Sequence, residues 1–301
     1  MRDGLLVALD HVNEARMRRH LRRDWELDAC RDAYGALNQL ASLLETSGAS
    51  PSDRNRSRPS EVVKHCNLLA DLPSQVLGSL LDDPVVGTLA EFKPLILDHG
   101  SPGMTQRIED LTDEVRATAS VRHLQFRRCW HRWQDAGFGV AETAKKLIRA
   151  VLVVRNNIAH GEKTPFGPDP ARRERNLAVA RVVLPVVEAV IDAVLDVPSH
   201  KLAAYGTLRR GEANEHVPSI DGTWSPITLT GRLWDESGFS AFTFAVDGEP
   251  IAAELFVSDG LPKVWESLDR FEGDRYARRL GLYEENGAIG VANTYEWVGQ
   301  R

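Results

Sequence analysis

The segment YGTLRRG, residues 205–211, directly follows a short apolar run that predicts a β-strand over 202–205. A strand that ends in an aromatic residue and a glycine leaves the backbone N–H groups of the next turn available to an anionic ligand. The turn at 205–208 is therefore predicted to bind such a group. A second segment with candidate functional residues, LDRFEGDRYARR, lies further along the chain at 268–279.

Glu272 is the candidate catalytic residue of the second segment. It follows a short helix predicted over 261–271 and precedes Gly273, which predicts the end of that helix. A carboxylate in this place can be partly buried at the floor of a cavity, where desolvation raises its pKa towards neutrality and suits it to proton transfer. The alternative interpretation is that Glu272 is a solvated acid at a helix end, as most surface carboxylates are.

Together, the two segments resemble the gamma-glutamylcyclotransferase-like family over residues 201–299. The resemblance extends to three shorter motifs between them: Gly231-Arg232-Leu233-Trp234, Asp247-Gly248 and Ala253-Glu254-Leu255-Phe256. It implies a small, mixed α/β barrel-like fold. Ser240 departs from the family pattern, because relatives often have proline there.

The resemblance also implies a reaction. Members of the family cleave a gamma-glutamyl amide when the α-amine of the glutamyl group attacks its own side-chain carbonyl, which gives 5-oxoproline and a free amine. The catalytic glutamate matches Glu272, and the following aromatic residue matches Tyr276. The ligand-binding turn matches Tyr205, Gly206, Thr207 and Leu208. No metal or cofactor is required, and a related domain could also bind a metabolite without turning it over.

The rest of the chain has a different pattern. Up to about Pro198 the apolar spacing is helical and glycine is sparse, whereas the later residues form short β-like runs separated by glycine. We therefore predict an α+β protein of two domains, an all-α helical bundle over 1–198 and the barrel-like domain over 199–301. The net charge of −6 lies entirely in the second domain, which holds 10 basic and 16 acidic side chains.

Composition excludes several classes of protein. Apolar residues make up 43% of the chain and charged residues 27%, as in ordinary globular proteins. The three cysteines are far apart in sequence, and the apolar run near the N-terminus is too short for an export signal, so we expect a cytoplasmic protein. The apolar stretch 177–195 contains three charges and Pro185, which predicts a buried or dimer-forming helix rather than a membrane span.

The sharpest motif of the helical domain is VVRNNIAHG, residues 153–161. It ends a helix predicted over 139–160. Asn156 and His160 are four residues apart on the face opposite the apolar stripe, with Arg155 between that face and the stripe. The stripe consists of Val140, Ala144, Leu147, Val151, Val154 and Ile158.

This Arg-x4-His arrangement resembles the HEPN superfamily, with a HEPN-like core over about 105–198. Many HEPN domains are metal-independent endoribonucleases, often toxins of toxin–antitoxin systems or phage-defence effectors, and they commonly act as dimers. By this resemblance His160 would assist proton transfer at a ribose 2′-OH, Arg155 would hold the scissile phosphate, and Asn156 would be a polar helper. The alternative is a polar helix end in which Arg155 forms an ion pair and His160 caps carbonyls.

A basic and aromatic segment, VRHLQFRRCWHRW at 121–133, gives a second indication of RNA. Arginines interleaved with aromatic residues can bind RNA by phosphate contacts and stacking. The alternative is that the aromatic rings pack inward while the arginines extend to solvent.

The leading prediction from the sequence is a gamma-glutamylcyclotransferase-like enzyme that acts on a small gamma-glutamyl substrate and is fused to a HEPN-like domain. The alternative is a ribonuclease that uses Arg155 and His160, with the cyclotransferase-like domain as sensor or modulator and RNA as partner. A third hypothesis is a scaffold that forms a homodimer through its helices and binds a metabolite without catalysis.

Overall fold

The structure is a computed structural model that describes residues 2–18, 25–48, 61–92, 110, 112–137, 139–159, 170–215, 218–236 and 238–299. The chain divides into two compact units, Met1–Val194 and Leu195–Arg301. The described residues of the first unit are helical, whereas those of the second unit combine a helix with a six-stranded sheet. The predicted α+β layout is therefore confirmed.

The first unit is built from nine described helices. They are α1 (Arg2–Arg18), α2 (Trp25–Gly48), α3 (Glu61–Ala70), α4 (Ser74–Asp82), α5 (Pro84–Glu91), α6 (Asp113–Ala119), α7 (Val121–Ala136), α8 (Val140–Ala159) and α9 (Pro170–Val194). Two of these helix boundaries have a local cause or marker. Pro73, whose ring cannot continue a helix, lies between α3 and α4, and Ser120 lies between α6 and α7.

Helix α8 is buried on more than the predicted face. Four members of its predicted stripe are buried, and so are neighbours outside the stripe, including Ile148, Leu152 and Val153. The Tyr34 hydroxyl on α2 donates a hydrogen bond of 2.6 Å to the carbonyl of Val151. A helix that is apolar on most sides belongs in the core of a bundle, which is where α8 lies.

The second unit begins with a 3-10 turn, Pro198–His200, and continues into a mixed sheet. Its strands are β1 (Lys201–Ala204), β2 (Thr223–Glu236), β3 (Phe239–Phe244), β4 (Glu249–Val257), β5 (Tyr276–Glu285) and β6 (Ala288–Trp297), and α10 (Leu261–Glu272) joins β4 to β5. The strand order is β3-β2-β4-β1-β6-β5. An additional pairing of β2 with β5 closes the sheet into a barrel-like form.

The two faces of the sheet bury different clusters of side chains. Because side chains alternate along a strand, Ala203 lies on one face of β1, while its neighbours Leu202 and Ala204 lie on the other. The first face packs around Phe242 and Leu229. The second face packs against α10, which contributes Leu261, Trp265 and Leu268.

Asn-Gly and Asp-Gly dipeptides favour hairpin turns, and this unit contains one of each, Asn286-Gly287 and Asp247-Gly248. Asn286 and Gly287 both have positive φ and join the antiparallel strands β5 and β6 in a hairpin. Asp247-Gly248 does not form a hairpin between its flanking strands. Strand β3 pairs antiparallel with the second half of β2, and β4 pairs antiparallel with the first half. Since β3 and β4 therefore run in the same direction, the turn between them does not reverse the chain.

Among the helices that the structure describes, none combines the length and the apolar character needed to cross a lipid bilayer. The apolar stretch 177–195 falls mostly on α9, which continues through Pro185 and buries much of its surface within the first unit.

Candidate active site

Glu272 is the last residue of α10, and the helical repeat directs it towards the sheet. Leu261, Trp265 and Leu268 are buried at steps of four and three residues, and Glu272 follows four residues later on the same face. The helix ends at Gly273, whose φ of 70° and ψ of −171° suit glycine. The sequence thus places a carboxylate at the end of an otherwise apolar helix face.

Burial changes the proton affinity of this carboxylate. Glu272 is half-buried, and desolvation raises its pKa from 4.5 to about 7. Near neutral pH the protonated and ionised forms are both populated. A carboxylate in this state can accept a proton in one step of a reaction and return it in the next.

The same shift makes the stability of the fold depend on pH. The folded chain binds this proton more tightly than the unfolded chain, so it gains stability below pH 4.5 that is lost as pH rises towards 7. Glutamine cannot ionise, so Glu272→Gln is expected to raise the melting temperature relative to the natural protein more at about pH 8 than at about pH 5. Thermal unfolding at the two pH values measures the difference.

The matched control for this prediction is Glu266→Gln. Glu266 lies on the exposed side of the same helix, with 89% of its side chain accessible. The same change there removes one exposed carboxylate from the same helix, so it controls for the loss of a negative charge as such. An equal effect of Glu272→Gln at both pH values would show that Glu272 does not titrate near neutrality in the folded protein.

The turn at 205–208 follows directly from β1. The Tyr205 ring packs on Phe242 with 4.9 Å between centroids, and the Tyr205 hydroxyl donates a hydrogen bond of 2.7 Å to the carbonyl of Tyr295. Leu208 is buried under α10. Within the described part of the chain, the backbone N–H groups of Gly206, Thr207 and Leu208 donate no hydrogen bond. The turn is fixed by its side chains while these three donors point to no protein acceptor.

Ser240 and Tyr276 lie beside this turn. A Cβ atom built on Gly206 would be 3.3 Å from the Cβ of Ser240. The Tyr276 hydroxyl donates a hydrogen bond of 2.9 Å to the carbonyl of Ser240. Residue 240, where the sequence departs from the family pattern, therefore contacts the predicted site directly.

Three tyrosine hydroxyls lie within electrostatic reach of Glu272. Burial is the main cause that raises the pKa of Tyr205, Tyr276 and Tyr295, and the Glu272 carboxylate raises the pKa of each further. The structure thus brings the predicted residues Glu272, Tyr205 and Tyr276 together with the 206–208 turn in one place.

The sequence reasoning missed several residues of this region. Asp269 on α10, Arg278 on β5 and Tyr295 on β6 form a hydrogen-bonded group at the turn of α10 that carries Glu272. Glu296 is also buried, and it accepts hydrogen bonds from Thr243 Oγ1 at 2.6 Å and from the Phe244 N–H at 3.0 Å. Of these residues only Asp269 could have been predicted from the sequence, because it lies one helical turn before Glu272 on the same predicted helix.

Within the described ranges, no group of three or more His, Cys, Asp or Glu side chains is arranged to hold a metal ion. A broad open groove lies at the other end of α10, along the start of β2. Its walls include Ile220, Trp224, Phe256 and Val264, and Glu272 does not line it. At a rise of about 1.5 Å per residue, the length of α10 separates this groove from Glu272.

The predicted ribonuclease residues are only partly described. Arg155 and Asn156 are half-buried near the end of α8, and Arg155 Nη1 donates a hydrogen bond of 3.1 Å to Asn156 Oδ1. His160 lies outside the described residues. The next residue of the motif, Asn157, is fully buried.

The aromatic residues of the 121–133 segment pack inward. Phe126 is fully buried, Trp130 donates to the carbonyl of Leu81 at 3.1 Å, and Trp133 donates to Asp82 Oδ1 at 3.1 Å. Arg127 forms an ion pair of 2.6 Å with Glu91. The packing alternative therefore accounts for these aromatic residues, which join α7 to α4 and α5 rather than stacking on RNA.

The comparisons with known proteins concern the second unit. A family model described as "Gamma-glutamyl cyclotransferase, AIG2-like" matches residues 202–300. A solved structure of YkqA from Bacillus subtilis shares 25% identity over 34% of this chain and 36% of its own, with a TM-score of 0.29. The uncharacterized protein PH0828 from Pyrococcus horikoshii shares 21% identity over 33% of this chain and 79% of its own, with a TM-score of 0.27. No curated protein matches the sequence.

The chain spans little more than a third of the length of YkqA. The family match lies wholly within the second unit, and the HEPN resemblance of the helical residues stays a prediction. Residues 202–300, about a third of the chain, are therefore the part that is similar to the gamma-glutamyl cyclotransferase, AIG2-like, family.

Proposed function

We propose that the second unit is a gamma-glutamylcyclotransferase that converts a gamma-glutamyl amide into 5-oxoproline and a free amine. The observation that carries the proposal is the half-buried Glu272 carboxylate, with its pKa of about 7, close to a turn whose backbone N–H groups are not used by the protein. An acid/base and a set of N–H donors are the two groups that this reaction needs. The family match of residues 202–300 supports the same reaction type.

In the proposed mechanism, Glu272 moves one proton between two nitrogens. The ionised carboxylate accepts a proton from the substrate α-amine as that nitrogen attacks the side-chain carbonyl carbon. The protonated Glu272 then donates to the leaving nitrogen as the original C–N bond breaks. Glu272 finishes ionised, so the cycle needs no further reactant. Because the attack is intramolecular, positioning of the substrate supplies much of the rate.

The N–H groups of Gly206, Thr207 and Leu208 are proposed to hold the α-carboxylate of the substrate. Three backbone donors in one turn form a concave anion site that needs no charged side chain. Tyr205 and Tyr276 would line the pocket on either side, because their hydroxyls are already held by the carbonyls of Tyr295 and Ser240. This arrangement would place the α-amine of the substrate next to Glu272.

The test is incubation of the full-length protein with gamma-glutamyl amino acids, a gamma-glutamyl-lysine isopeptide and gamma-glutamyl alkylamines, followed by measurement of 5-oxoproline by mass spectrometry. The α-linked glutamyl dipeptides are the matched control, since their side chain is a free carboxylate and offers no side-chain amide for the α-amine to attack. We expect 5-oxoproline from at least one gamma-linked compound and from no α-linked one. Absence of product from the whole gamma-linked set would overturn the proposal.

We propose as a second candidate function an RNA-cleaving helical unit, because the side chains of Arg155 and Asn156 are paired and partly accessible at the end of α8. In this reading Arg155 binds the scissile phosphate, His160 transfers the proton, and a homodimer completes the site. The second unit would then act as a sensor or modulator of RNA cleavage.

This candidate predicts that expression of the natural protein inhibits growth and cuts RNA, and that His160→Ala and Arg155→Ala remove both effects. A catalytic histidine contributes roughly 10²–10⁴-fold to a rate, so the loss is expected to be nearly complete. Arg149→Ala, at an exposed position of the same helix, is the control that should retain the effects. Toxicity that survives His160→Ala would exclude this mechanism.

A further inference from the structure

Asp269 is tied to two strands at once. Arg278 on β5 donates from Nε to Asp269 Oδ1 at 2.8 Å and from Nη2 to Asp269 Oδ2 at 3.1 Å. The Tyr295 hydroxyl on β6 donates to Asp269 Oδ1 at 2.8 Å. Paired hydrogen bonds between a guanidinium and a carboxylate fix both distance and orientation. Arg278 and Tyr295 are themselves register partners in the β5–β6 pairing, so both donors come from one rigid piece of sheet.

The main chain of Asp269 and the rings nearby hold the same turn of helix. The N–H of Gly273 donates to the Asp269 carbonyl at 3.1 Å, which closes the turn that contains Glu272. The Arg278 guanidinium also lies over the Trp265 ring, 4.6 Å from its centroid. The Arg278 guanidinium is therefore held between the Trp265 ring and the Asp269 carboxylate, and these contacts fix the end of α10.

Tyr295 links this group to the other half of the site. Its hydroxyl binds Asp269 on the helix that carries Glu272, and its carbonyl accepts the 2.7 Å hydrogen bond from Tyr205, which begins the 205–208 turn. Tyr295 thus contacts both α10 and the 205–208 turn, the two elements whose relative position matters for the proposed reaction.

We propose that Asp269, Arg278 and Tyr295 form a positioning clamp that holds Glu272 at a fixed distance from the 205–208 turn. The opposite charges of Asp269 and Arg278 offset each other at the Glu272 carboxylate. None of the three touches the reacting atoms, so they act through Glu272 and Tyr205. The inference rests on the proposed function for its kinetic consequences, whereas its electrostatic consequence concerns the protein alone.

The electrostatic consequence follows from the groups around Glu272. These are Tyr205 from the turn, Tyr276 and Arg278 from β5, Tyr295 from β6 and Asp269 from the same helix, together with Arg275 just before β5 and Glu296 on β6, which is paired with Arg279. Two residues of opposite charge, Asp269 and Arg278, are paired with each other. If either is neutralised, the charge of the other is no longer offset and acts on Glu272. Asp269→Asn leaves a cation and should lower the pKa of Glu272, while Arg278→Gln leaves an anion and should raise it.

The direct experiment is an NMR titration of the Glu272 carboxyl carbon in the full-length protein and in Asp269→Asn, Arg278→Gln and Tyr295→Phe, with the signal assigned by Glu272→Gln. We expect opposite shifts of about 0.5 to 1 pH unit for Asp269→Asn and Arg278→Gln. Arg270→Gln is the matched control, because Arg270 is exposed on the same helix and only 3.8 Å from Glu266. It should leave the titration unchanged.

The kinetic experiment uses the substrate with the highest turnover. We expect Tyr295→Phe, which removes one oxygen and keeps the ring, to lower kcat about tenfold while KM changes less than about twofold, because displacement of a reacting group by a fraction of an ångström reduces rate more than binding. Arg270→Gln should keep the natural kcat. If the clamp residues only stabilised the fold, their variants would have a lower melting temperature, but the pKa of Glu272 would not shift in opposite directions in Asp269→Asn and Arg278→Gln.

The outcomes separate the two proposals. Shifts in the same direction, or no shift, in Asp269→Asn and Arg278→Gln overturn the clamp. Tyr295→Phe with unchanged kcat also overturns it. If either charge variant does not fold, Tyr295→Phe still decides through kcat. If the natural protein forms no 5-oxoproline but the opposite shifts are present, the proposed reaction fails while the electrostatic role of the clamp stands.

Discussion

Replacing Glu272 by glutamine is expected to lower the rate of 5-oxoproline formation by about 10²–10⁴-fold. The amide has nearly the same shape as the carboxylate, so it preserves the packing of the last turn of α10. It can neither accept the proton of the attacking amine nor deliver a proton to the leaving nitrogen. The loss should therefore appear in kcat, with KM changed little, and steady-state kinetics with 5-oxoproline detection measures it.

Two further variants define the role of Glu272. Glu272→Asp keeps an ionisable group but withdraws it by one methylene, so its rate should fall between those of the natural protein and Glu272→Gln. Glu266→Gln, on the exposed face of the same helix, should retain full activity. The pH profile of the natural enzyme should change slope near pH 7, where Glu272 titrates. A Glu272→Gln protein with more than about a tenth of natural activity would exclude a proton-transfer role.

Gly281→Ala is expected to destabilise the second unit strongly. A Cβ atom at this position of β5 would overlap the ring of Phe244, which lies directly above the glycine. Phe244 packs edge-on against Phe242, 4.9 Å away between centroids, and Phe242 is fully buried. The ring must move to make room, which disturbs its packing on Phe242, so we expect a loss of about 1–3 kcal/mol in the free energy of unfolding, measured by denaturant titration.

The control is a second substitution that makes room. Phe244→Leu alone should cost stability because it removes part of the aromatic packing. Combined with Gly281→Ala, it should cost less than the sum of the two single changes, since the new methyl group enters the space left by the ring. Simple additivity of the two effects would contradict the packing described for this pair.

The parts of the site that the sequence could predict are local ones. The spacing of Leu261, Trp265 and Leu268 assigns one face of α10 to the core, and Glu272 continues that spacing, so its partial burial follows from periodicity. The 205–208 turn was predicted because it follows an apolar strand directly. The resemblance to a known family connected these two segments, which are separated by more than fifty residues that periodicity alone could not bridge.

The rest depended on pairings between distant strands. Nothing in the order of residues placed Tyr295 beside Asp269, because that contact requires the register of β5 on β6 as well as the packing of α10 on both. Ser240 was notable only as a departure from the family pattern, and its contact with Gly206 depends on where β3 lies along β2. The Asp247-Gly248 turn misled for the same reason, since a local turn signal does not state which strands pair afterwards.

The helical unit shows a related limit. Alternation of arginine and aromatic residues in the 121–133 segment is compatible with a solvent-facing RNA surface and with a packed helix. The contacts of Trp130 with Leu81 and of Trp133 with Asp82 are made with one helix, α4, about fifty residues earlier in the chain. Composition alone could not choose between the two, because large aromatic residues serve both purposes.

The pairing of β2 with β5, which closes the sheet of the second unit, is short and determines where the sheet opens locally. β2 and β5 are joined at two residue pairs, Thr228–Glu284 and Leu229–Tyr283, whereas β5 and β6 pair along ten positions. On its other side, β6 pairs with β1 at one position, Leu202–Asn293. Opening of a sheet proceeds where the fewest hydrogen bonds must break together, so the barrel should open along these two short pairings long before the chain unfolds globally. The β5–β6 ribbon, which carries Tyr276, Arg278 and Tyr295, would then swing as one piece, and backbone amides along the two short pairings would exchange with solvent ahead of those inside the ribbon.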